Sequence, residues 1–184
     1  MVSIVRDIHN LALVGFMGTG KSSVGQLVAA QLHFRFADTD ELIEARTGRT
    51  ISALFAEEGE GGFREYERAV VEELKKFHRT VIATGGGLVT QEENLNSLKT
   101  HALVVCLWAS AETIWERVGS QTHRPLLQST DPPARIRQLL AEREPFYRRA
   151  DVLVNTELRS VREVVHHVIH QFRLERGHPH PTHP

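Results

Sequence analysis

The chain has a single cysteine among its 184 residues, and it has no long hydrophobic run. One cysteine, Cys106, cannot form an internal disulfide, and this usage is typical of a reducing compartment. No stretch approaches the roughly 18 consecutive apolar residues of a membrane span, and the opening MVSIVRDIHN lacks the apolar run of a secretory signal. We therefore expect a cytoplasmic protein that does not bind a membrane.

A large excess of charge of either sign is also absent, since the formal net charge is −1. Proteins that bind nucleic acid or anionic membranes usually show a basic surface, so we expect neither partner. Any anion site must then be a local cluster of cationic groups. Apolar residues make up 41% of the chain and charged residues 24%, which indicates one globular domain at this length.

Five short apolar runs alternate with helical patterns, which predicts parallel strands joined by crossover helices. The runs are rich in Val, Ile and Leu without strict alternation, as is typical of strands covered on both faces. They are LALVGF, RFADTD, TVIATGG, ALVVCLW and DVLVN. The sequence thus predicts an α/β fold, a three-layer α/β/α sandwich around a central five-stranded parallel sheet.

Two segments lie outside the regular pattern of this domain, which we expect to span residues 1–174. A polar, proline-containing segment at about 118–132 interrupts two helical patterns, and we interpret it as a lid. Residues 175–184 contain GHPHPTHP, where proline alternates with histidine. Such a segment forms neither a helix nor a core, so we expect a disordered tail.

The stretch GFMGTGKSS follows the first predicted strand and precedes a helix, and its spacing, GxxxxGKS, is that of a phosphate-binding P-loop. Its glycines allow successive N–H groups to point at phosphate oxygens, and the helix adds its positive end. A lysine in this position meets the β- and γ-phosphates, and the serine hydroxyl can bind Mg²⁺. The residues expected to bind nucleotide are Gly18, Thr19, Gly20, Lys21, Ser22 and Ser23.

Among P-loop proteins, two classes are excluded. The chain lacks the NKxD stretch with which regulatory GTPases read guanine, and it is too short for a motor or helicase. A small-molecule kinase remains, and such an enzyme needs a second half-site for the acceptor.

Candidate acceptor residues occur in several places. Asp38 and Asp40 are predicted to end the second strand, and strand ends of a parallel sheet meet beside the phosphates. Arg64 is predicted at the start of a helical stretch, and TGGG (84–87) ends the third strand with small residues that expose backbone N–H groups. Three further arginines surround the predicted lid: Arg117, Arg124 and Arg143.

Taken in order, the motifs GFMGTGKSSVG, DTDELIE, FREYE, ATGGGLV, RPLL and EREPFYRRAD closely resemble those of the shikimate kinases, over roughly residues 8–172. The resemblance implies ATP-dependent phosphorylation of the 3-hydroxyl of shikimate, giving shikimate 3-phosphate and ADP. This reaction is a step of aromatic amino-acid biosynthesis.

For the acceptor, the resemblance implies five site residues. Asp40 would bind shikimate hydroxyls and assist deprotonation of the attacking one. Arg64 and Arg143 would grip the shikimate carboxylate, and the backbone at Gly86 and Gly87 would contact ring substituents. Planar guanidinium groups suit this task because they bind a carboxylate in bidentate fashion. Apolar residues, among them Phe55 and Phe63, would form the floor beneath the ring.

For the nucleotide, the resemblance implies that Lys21 acts in catalysis and that Asp38 holds Mg²⁺ through water, beside Ser22. Arg124, on the lid, would reach the phosphates on closure, and Arg117 would lie against the adenine. The cofactor is therefore Mg²⁺ with ATP as co-substrate.

Simpler explanations exist for several of these residues. Asp38 or Asp40 could cap a helix that begins near Glu41, and Arg117 could lie on a solvated face. Arg64 could pair with Glu60 or Glu67 on its own helix, and Arg143 with a nearby glutamate. As alternative functions, a kinase for another polyol acid such as gluconate and a regulatory nucleotide-binding module remain open. We expect a monomer, because no interface stripe is left over after the core helices are assigned.

Overall fold

The computed structural model describes residues 6–119 and 131–177, and a parallel β-sheet forms its centre. The strands are β1 (Asn10–Val14), β2 (Arg35–Asp38), β3 (Thr80–Ala83), β4 (Ala102–Trp108) and β5 (Val152–Asn155). Their order is β2-β3-β1-β4-β5, and every pair is parallel. The five predicted strands and the α/β fold are confirmed.

Seven helices are described: α1 (Lys21–Leu32), α2 (Thr39–Thr47), α3 (Ile51–Leu74), α4 (Glu92–His101), α5 (Ala111–Val118), α6 (Pro132–Tyr147) and α7 (Val161–Gly177). Helices α5 and α6 flank the predicted lid, whose residues 120–130 lie outside the described residues. Helix α7 continues three residues past the predicted end of the domain, and the remainder of the predicted tail also lies outside the described part.

Two hydrophobic cores, one on each face of the sheet, make the three layers. Leu11 and Leu13 of β1 face the core shared with α1 and α7, whereas Ala12 and Val14 face the core beneath α3 to α6. Alternate residues of a strand point to opposite faces, so a strand that is buried on both is apolar throughout. Cys106 is fully buried in the core beneath α3 to α6, as expected for a residue of a strand covered on both faces. Burial raises the pKa of its thiol to about 12. Within the described residues no helix is both long and apolar enough to cross a bilayer.

Helix ends and one kink follow local sequence signals. Helix α7 opens with a capping box in which the Glu163 N–H donates to Ser160 Oγ and the Ser160 N–H donates to the Glu163 carboxylate at 2.7 Å. Helix α3 is kinked at Gly59, whose φ of 69° and ψ of −174° are non-helical. A positive φ of this kind favours glycine, so Gly59 allows the second half of α3 to take its own direction.

Asp151 ties together the edge of the sheet at which the strands begin. Its carboxylate accepts hydrogen bonds from the Arg6 guanidinium at 3.0 Å and from the Val104 N–H at 2.9 Å, and Lys99 lies 3.1 Å away. Burial alone would raise the pKa of Asp151, but these donors and charges hold it below its ordinary value. Asp151 ends the EREPFYRRAD motif, and its contacts are structural.

Three histidines cluster at the same edge. The His9 ring stacks on His78 at 4.2 Å between centroids, and its centroid lies 6.0 Å from that of His101. The buried Asn10 amide donates to Nδ1 of His101 at 3.0 Å. Burial, together with the nearby His9, Lys75 and His78, lowers the pKa of His101 to about 4. His101 is therefore neutral in the folded protein near pH 7.

Candidate active site

A cleft of about 1160 Å³ opens where the first three strands end. The P-loop forms one part of its wall, and the residues after β2, β3 and β5 together with α3, α5, α6 and α7 form the rest. All predicted site residues within the described part of the chain line this single cleft: Gly18, Thr19, Gly20, Lys21, Ser22, Ser23, Asp38, Asp40, Arg64, Gly86, Gly87, Arg117 and Arg143. Arg124 lies outside the described residues.

The P-loop has a conformation that only glycine adopts easily. Gly15, Gly18 and Gly20 have φ values of 132°, 74° and 95°, and a Cβ on Gly15 would lie 2.3 Å from the Leu107 carbonyl oxygen. The Lys21 ammonium donates to the carbonyl oxygens of Gly15 and Phe16, both at 2.9 Å, so it lies across its own loop.

Helix α1 begins immediately after the loop without a side-chain cap and without an acidic residue in its first turn. Its first N–H groups and the positive end of its dipole therefore face the cleft, which is the arrangement that binds phosphate.

Ser22 and Asp38 stand next to each other across the cleft floor. The Ser22 hydroxyl donates to Asp38 Oδ2 at 3.0 Å, while Oδ1 of Asp38 accepts from the Asp40 N–H at 3.0 Å. The second contact caps α2, so the capping explanation is correct for Asp38. Because this cap starts α2 at Thr39, the prediction that both acids end the strand was wrong for Asp40, which lies in the first helical turn.

Arg64 lies in the second half of α3, past the kink, with its side chain only 11% exposed. Its guanidinium pairs with Glu60 and with Glu67, each at 2.6 Å, so both ion pairs considered from the sequence are present. The same guanidinium covers Gly87 so closely that a Cβ there would lie 2.7 Å from Nη1 and Nη2. The Arg64 Nε, which is buried, makes no hydrogen bond to a described residue. Desolvation would lower the pKa of Arg64, but the two glutamates raise it overall.

Glu67 is a site residue that the sequence identified only as a helix partner of Arg64. Glu67 is 1% exposed. Its carboxylate and that of Asp40 both lie against Gly85, where a Cβ would be 3.3 Å from an oxygen of Glu67 and 2.6 Å from an oxygen of Asp40. Burial raises the pKa of Glu67 and the charge of Asp40 adds to this, although Arg64 partly compensates. The spacing of Arg64 and Glu67 in FREYE was the one available signal.

Two residues of α6, Arg143 and Tyr147, lie beside the glycine segment after β3. The Tyr147 hydroxyl donates to the Gly86 carbonyl oxygen at 2.6 Å. The Arg143 guanidinium carbon lies 5.5 Å from the centroid of the Phe16 ring, and Arg143 forms no ion pair with a carboxylate of the described residues. Nor do the N–H groups of Gly86 and Gly87 donate to an acceptor in that part of the chain. Two backbone donors and one guanidinium are thus open to a ligand.

Arg117 joins the P-loop to the loop after β5. Its Nη1 donates to the Gly18 carbonyl at 3.3 Å and to Thr156 Oγ1 at 3.0 Å, and its Nη2 donates to the Thr156 carbonyl at 2.8 Å. Arg117 is nevertheless exposed, so the alternative of a solvated face is also correct, and these hydrogen bonds hold the exposed guanidinium at the cleft. On the acceptor side, Phe55 and Phe63 stack at 4.4 Å between centroids and line the cleft.

A P-loop at the end of a central parallel strand, facing carboxylates and arginines across one cleft, defines a P-loop small-molecule kinase. The sequence model of the shikimate kinase family matches residues 17–173. The chain belongs to the shikimate kinase family.

Individual relatives agree with this assignment. The shikimate kinase of Thermodesulfovibrio yellowstonii is 46% identical over 92% of this chain and 99% of its own length. That of Symbiobacterium thermophilum is 45% identical over 91% of this chain and 99% of its own. The solved shikimate kinase of Acinetobacter baumannii, in complex with shikimate, has a TM-score of 0.85 at 39% identity and covers 92% of this chain and 94% of its own. A gluconokinase from Sinorhizobium meliloti, at 20% identity and a TM-score of 0.62, shares the fold alone.

Proposed function

We propose that the protein transfers the γ-phosphoryl group of ATP to the 3-hydroxyl of shikimate, giving shikimate 3-phosphate and ADP in aromatic amino-acid biosynthesis. The observation that carries this proposal is the placement of Arg64 and Arg143 at the Gly86–Gly87 segment, in the cleft that also contains the P-loop. Family membership and the shikimate complex of the A. baumannii relative support the choice of acceptor. ATP and shikimate are its proposed partners, and we expect it to act as a monomer in the cytoplasm.

In the acceptor half, Arg64 and Arg143 hold the substrate carboxylate through charge-assisted hydrogen bonds. The N–H groups of Gly86 and Gly87 meet ring substituents, and Phe55 and Phe63 support the ring. Asp40 orients the attacking hydroxyl and accepts its proton. Phosphoryl transfer depends chiefly on positioning and on neutralising charge, so these binding contacts are also the main source of catalysis.

In the nucleotide half, the N–H groups of the loop and of the first turn of α1 bind the phosphates, and Lys21 turns from its own carbonyl contacts toward the β- and γ-phosphates. Arg117 lies against the adenine while holding the loop through Gly18. Residues 118–132 close over the site as a lid, which brings Arg124 to the phosphates and excludes water.

The residues present fit a magnesium ion. Ser22 Oγ and Asp38 Oδ2 are hard oxygen donors 3.0 Å apart at the phosphate end of the cleft. Among residues 6–119 and 131–177 no group of three or more His, Cys, Asp or Glu side chains forms a metal site. In the proposed function, Asp38 holds the ion through water beside the Ser22 hydroxyl. When bound with ATP, Mg²⁺ neutralises phosphate charge.

The experiment is ADP release from ATP and Mg²⁺ with shikimate, quinate or gluconate as acceptor. Release that depends on shikimate and is weak with the other two is the expected result. A preference for gluconate would assign the cleft to the second class of kinase. ATP binding without turnover on any acceptor would support a regulatory module.

A further inference from the structure

We propose that Tyr147 is a positioning residue for the acceptor, because its hydroxyl holds both the Gly86–Gly87 peptide and Arg143 in their substrate-binding orientation. This inference rests on the proposed function and assigns a role to a side chain that itself touches no substrate. Tyr147 ends α6 and is 1% exposed, yet its hydroxyl reaches the glycine segment after β3.

The hydroxyl has defined partners on both sides. It donates to the Gly86 carbonyl oxygen at 2.6 Å, and the Arg143 guanidinium, one helical turn earlier, interacts with the same group. A buried tyrosine hydroxyl needs such partners, since leaving it unpaired costs free energy. Burial also raises the pKa of Tyr147, so the proton needed for donation stays in place at neutral pH.

Because the peptide unit is planar, this hydrogen bond also fixes the direction of a backbone N–H that can bind the substrate. In a planar trans peptide the C=O of one residue and the N–H of the next point in opposite directions. No peptide of the described chain is cis, so fixing the Gly86 carbonyl toward Tyr147 also fixes the direction of the Gly87 N–H. Three successive glycines, Gly85 to Gly87, have no side chains to restrict their backbone, so the restriction must come from outside.

Arg143 lies beside the same glycine segment. Its guanidinium lies over the Phe16 ring, and its Nη1 would be 3.7 Å from a Cβ on Gly86, so the arginine and the glycine segment are neighbours. The Tyr147 hydroxyl therefore lies between the Gly86–Gly87 peptide and the Arg143 guanidinium, and in the proposed function both of these bind the acceptor substrate. Among the described residues, no hydrogen bond joins this hydroxyl to the P-loop.

The test is Tyr147→Phe in the full-length protein, which keeps the buried ring and removes the hydroxyl. We expect the KM for shikimate to rise about tenfold, in keeping with the loss of one buried hydrogen bond that orients charged and backbone donors. We expect the KM for ATP to change less than about twofold, because the hydroxyl makes no hydrogen bond to the P-loop among the described residues. The two KM values and kcat are measured by ADP release, and the melting temperature is measured alongside.

The chain offers a matched control in its second tyrosine. The Tyr66 hydroxyl accepts from Arg49 and donates to Glu58, both at 3.0 Å, and Tyr66 does not line the cleft. Tyr66→Phe likewise removes a tyrosine hydroxyl that has hydrogen-bond partners, at a less buried position, and should leave both KM values unchanged.

An unchanged KM for shikimate in Tyr147→Phe, or an equal rise in both KM values with a lowered melting temperature, would overturn the positioning role. Failure of the wild-type protein to release ADP with shikimate would instead overturn the proposed function, and this role with it.

Discussion

Replacing Arg64 by alanine would separate its contribution to substrate binding from its contribution to the fold, provided that its buried partner is changed too. Arg64→Ala removes a guanidinium that pairs with Glu60 and Glu67 and covers Gly87. It also leaves the carboxylate of Glu67, 1% exposed, without its partner. A loss of activity in the single variant could therefore come from either cause.

The expected magnitudes differ for the two effects. Loss of a hydrogen bond to a charged group costs about 1.5–3 kcal/mol, which corresponds to a fall in kcat/KM for shikimate of roughly 10- to 150-fold. An uncompensated buried carboxylate costs about 3–5 kcal/mol of folding stability. Part of this cost is avoided when Glu67 takes up a proton, and the pKa of Glu67 already lies above its ordinary value. Arg64→Ala should thus be both less active and less stable than the wild type.

Glu67→Gln removes the charge and supplies the comparison. Four proteins are needed: wild type, Arg64→Ala, Glu67→Gln and the double variant. Urea denaturation gives the free energy of unfolding, and ADP release with varied shikimate gives kcat/KM. The double variant should regain most of the stability lost in Arg64→Ala and none of the turnover. If it phosphorylates shikimate within about threefold of Glu67→Gln, then Arg64 does not hold the substrate, and its ion pairs alone explain its presence.

Two further predictions concern stability at the opposite edge of the sheet. Asp151→Asn should lower the free energy of unfolding by about 2 kcal/mol at pH 7, because the Arg6 and backbone donors lose their carboxylate. Since the folded-state pKa of Asp151 is depressed, this contribution is complete above about pH 4 and is lost as the pH falls through the folded-state pKa. The difference in the free energy of unfolding between variant and wild type, measured by urea denaturation, should therefore become smaller as the pH falls. Shikimate turnover should be unaffected at pH 7. A difference that does not change with pH would contradict this role of Asp151. For His101, a folded-state pKa of about 4 against an ordinary 6.5 means that the unfolded chain binds the proton first, so stability falls as the pH drops through that interval. Between pH 6.5 and pH 5, the free energy of unfolding of the wild type should fall by about 2 kcal/mol more than that of His101→Asn. An equal fall in the two proteins would contradict this prediction.

Much of the fold could be predicted because its signals are local. The three central strands β1, β3 and β4 are apolar runs buried along almost their whole length, whereas the edge strands β2 and β5 are only partly buried. The P-loop is defined by the spacing of two glycines, a lysine and a serine. The Ser160–Glu163 capping box also depends only on near neighbours, and it marks the start of α7 correctly. Such features are independent of how distant elements pack.

The parts that could not be predicted depend on tertiary packing. A cap by Asp38 was among the explanations considered from the sequence, but the sequence alone does not show that β2 ends at Asp38 and that α2 begins at Thr39. The spacing of Arg64 and Glu67 indicates an ion pair, but only the kinked path of α3 shows that Glu67 is buried beside Asp40 and Gly85. Tyr147 belongs to the EREPFYRRAD motif, but the motif does not reveal its contact with Gly86, which lies 61 residues away.

The two explanations of Arg64, ion pair and substrate contact, are compatible because its two glutamates differ in burial. Glu60 is 69% exposed, and an ion pair at such a position contributes about 0–1 kcal/mol, so a substrate carboxylate can take its place at little cost. Glu67 is 1% exposed, and displacing it would leave a buried charge without a partner. We therefore expect Glu67 to orient the guanidinium and Glu60 to give way to the substrate carboxylate. The ion pairs of Arg64 would then orient its guanidinium for a substrate carboxylate, so they do not exclude a role in substrate binding.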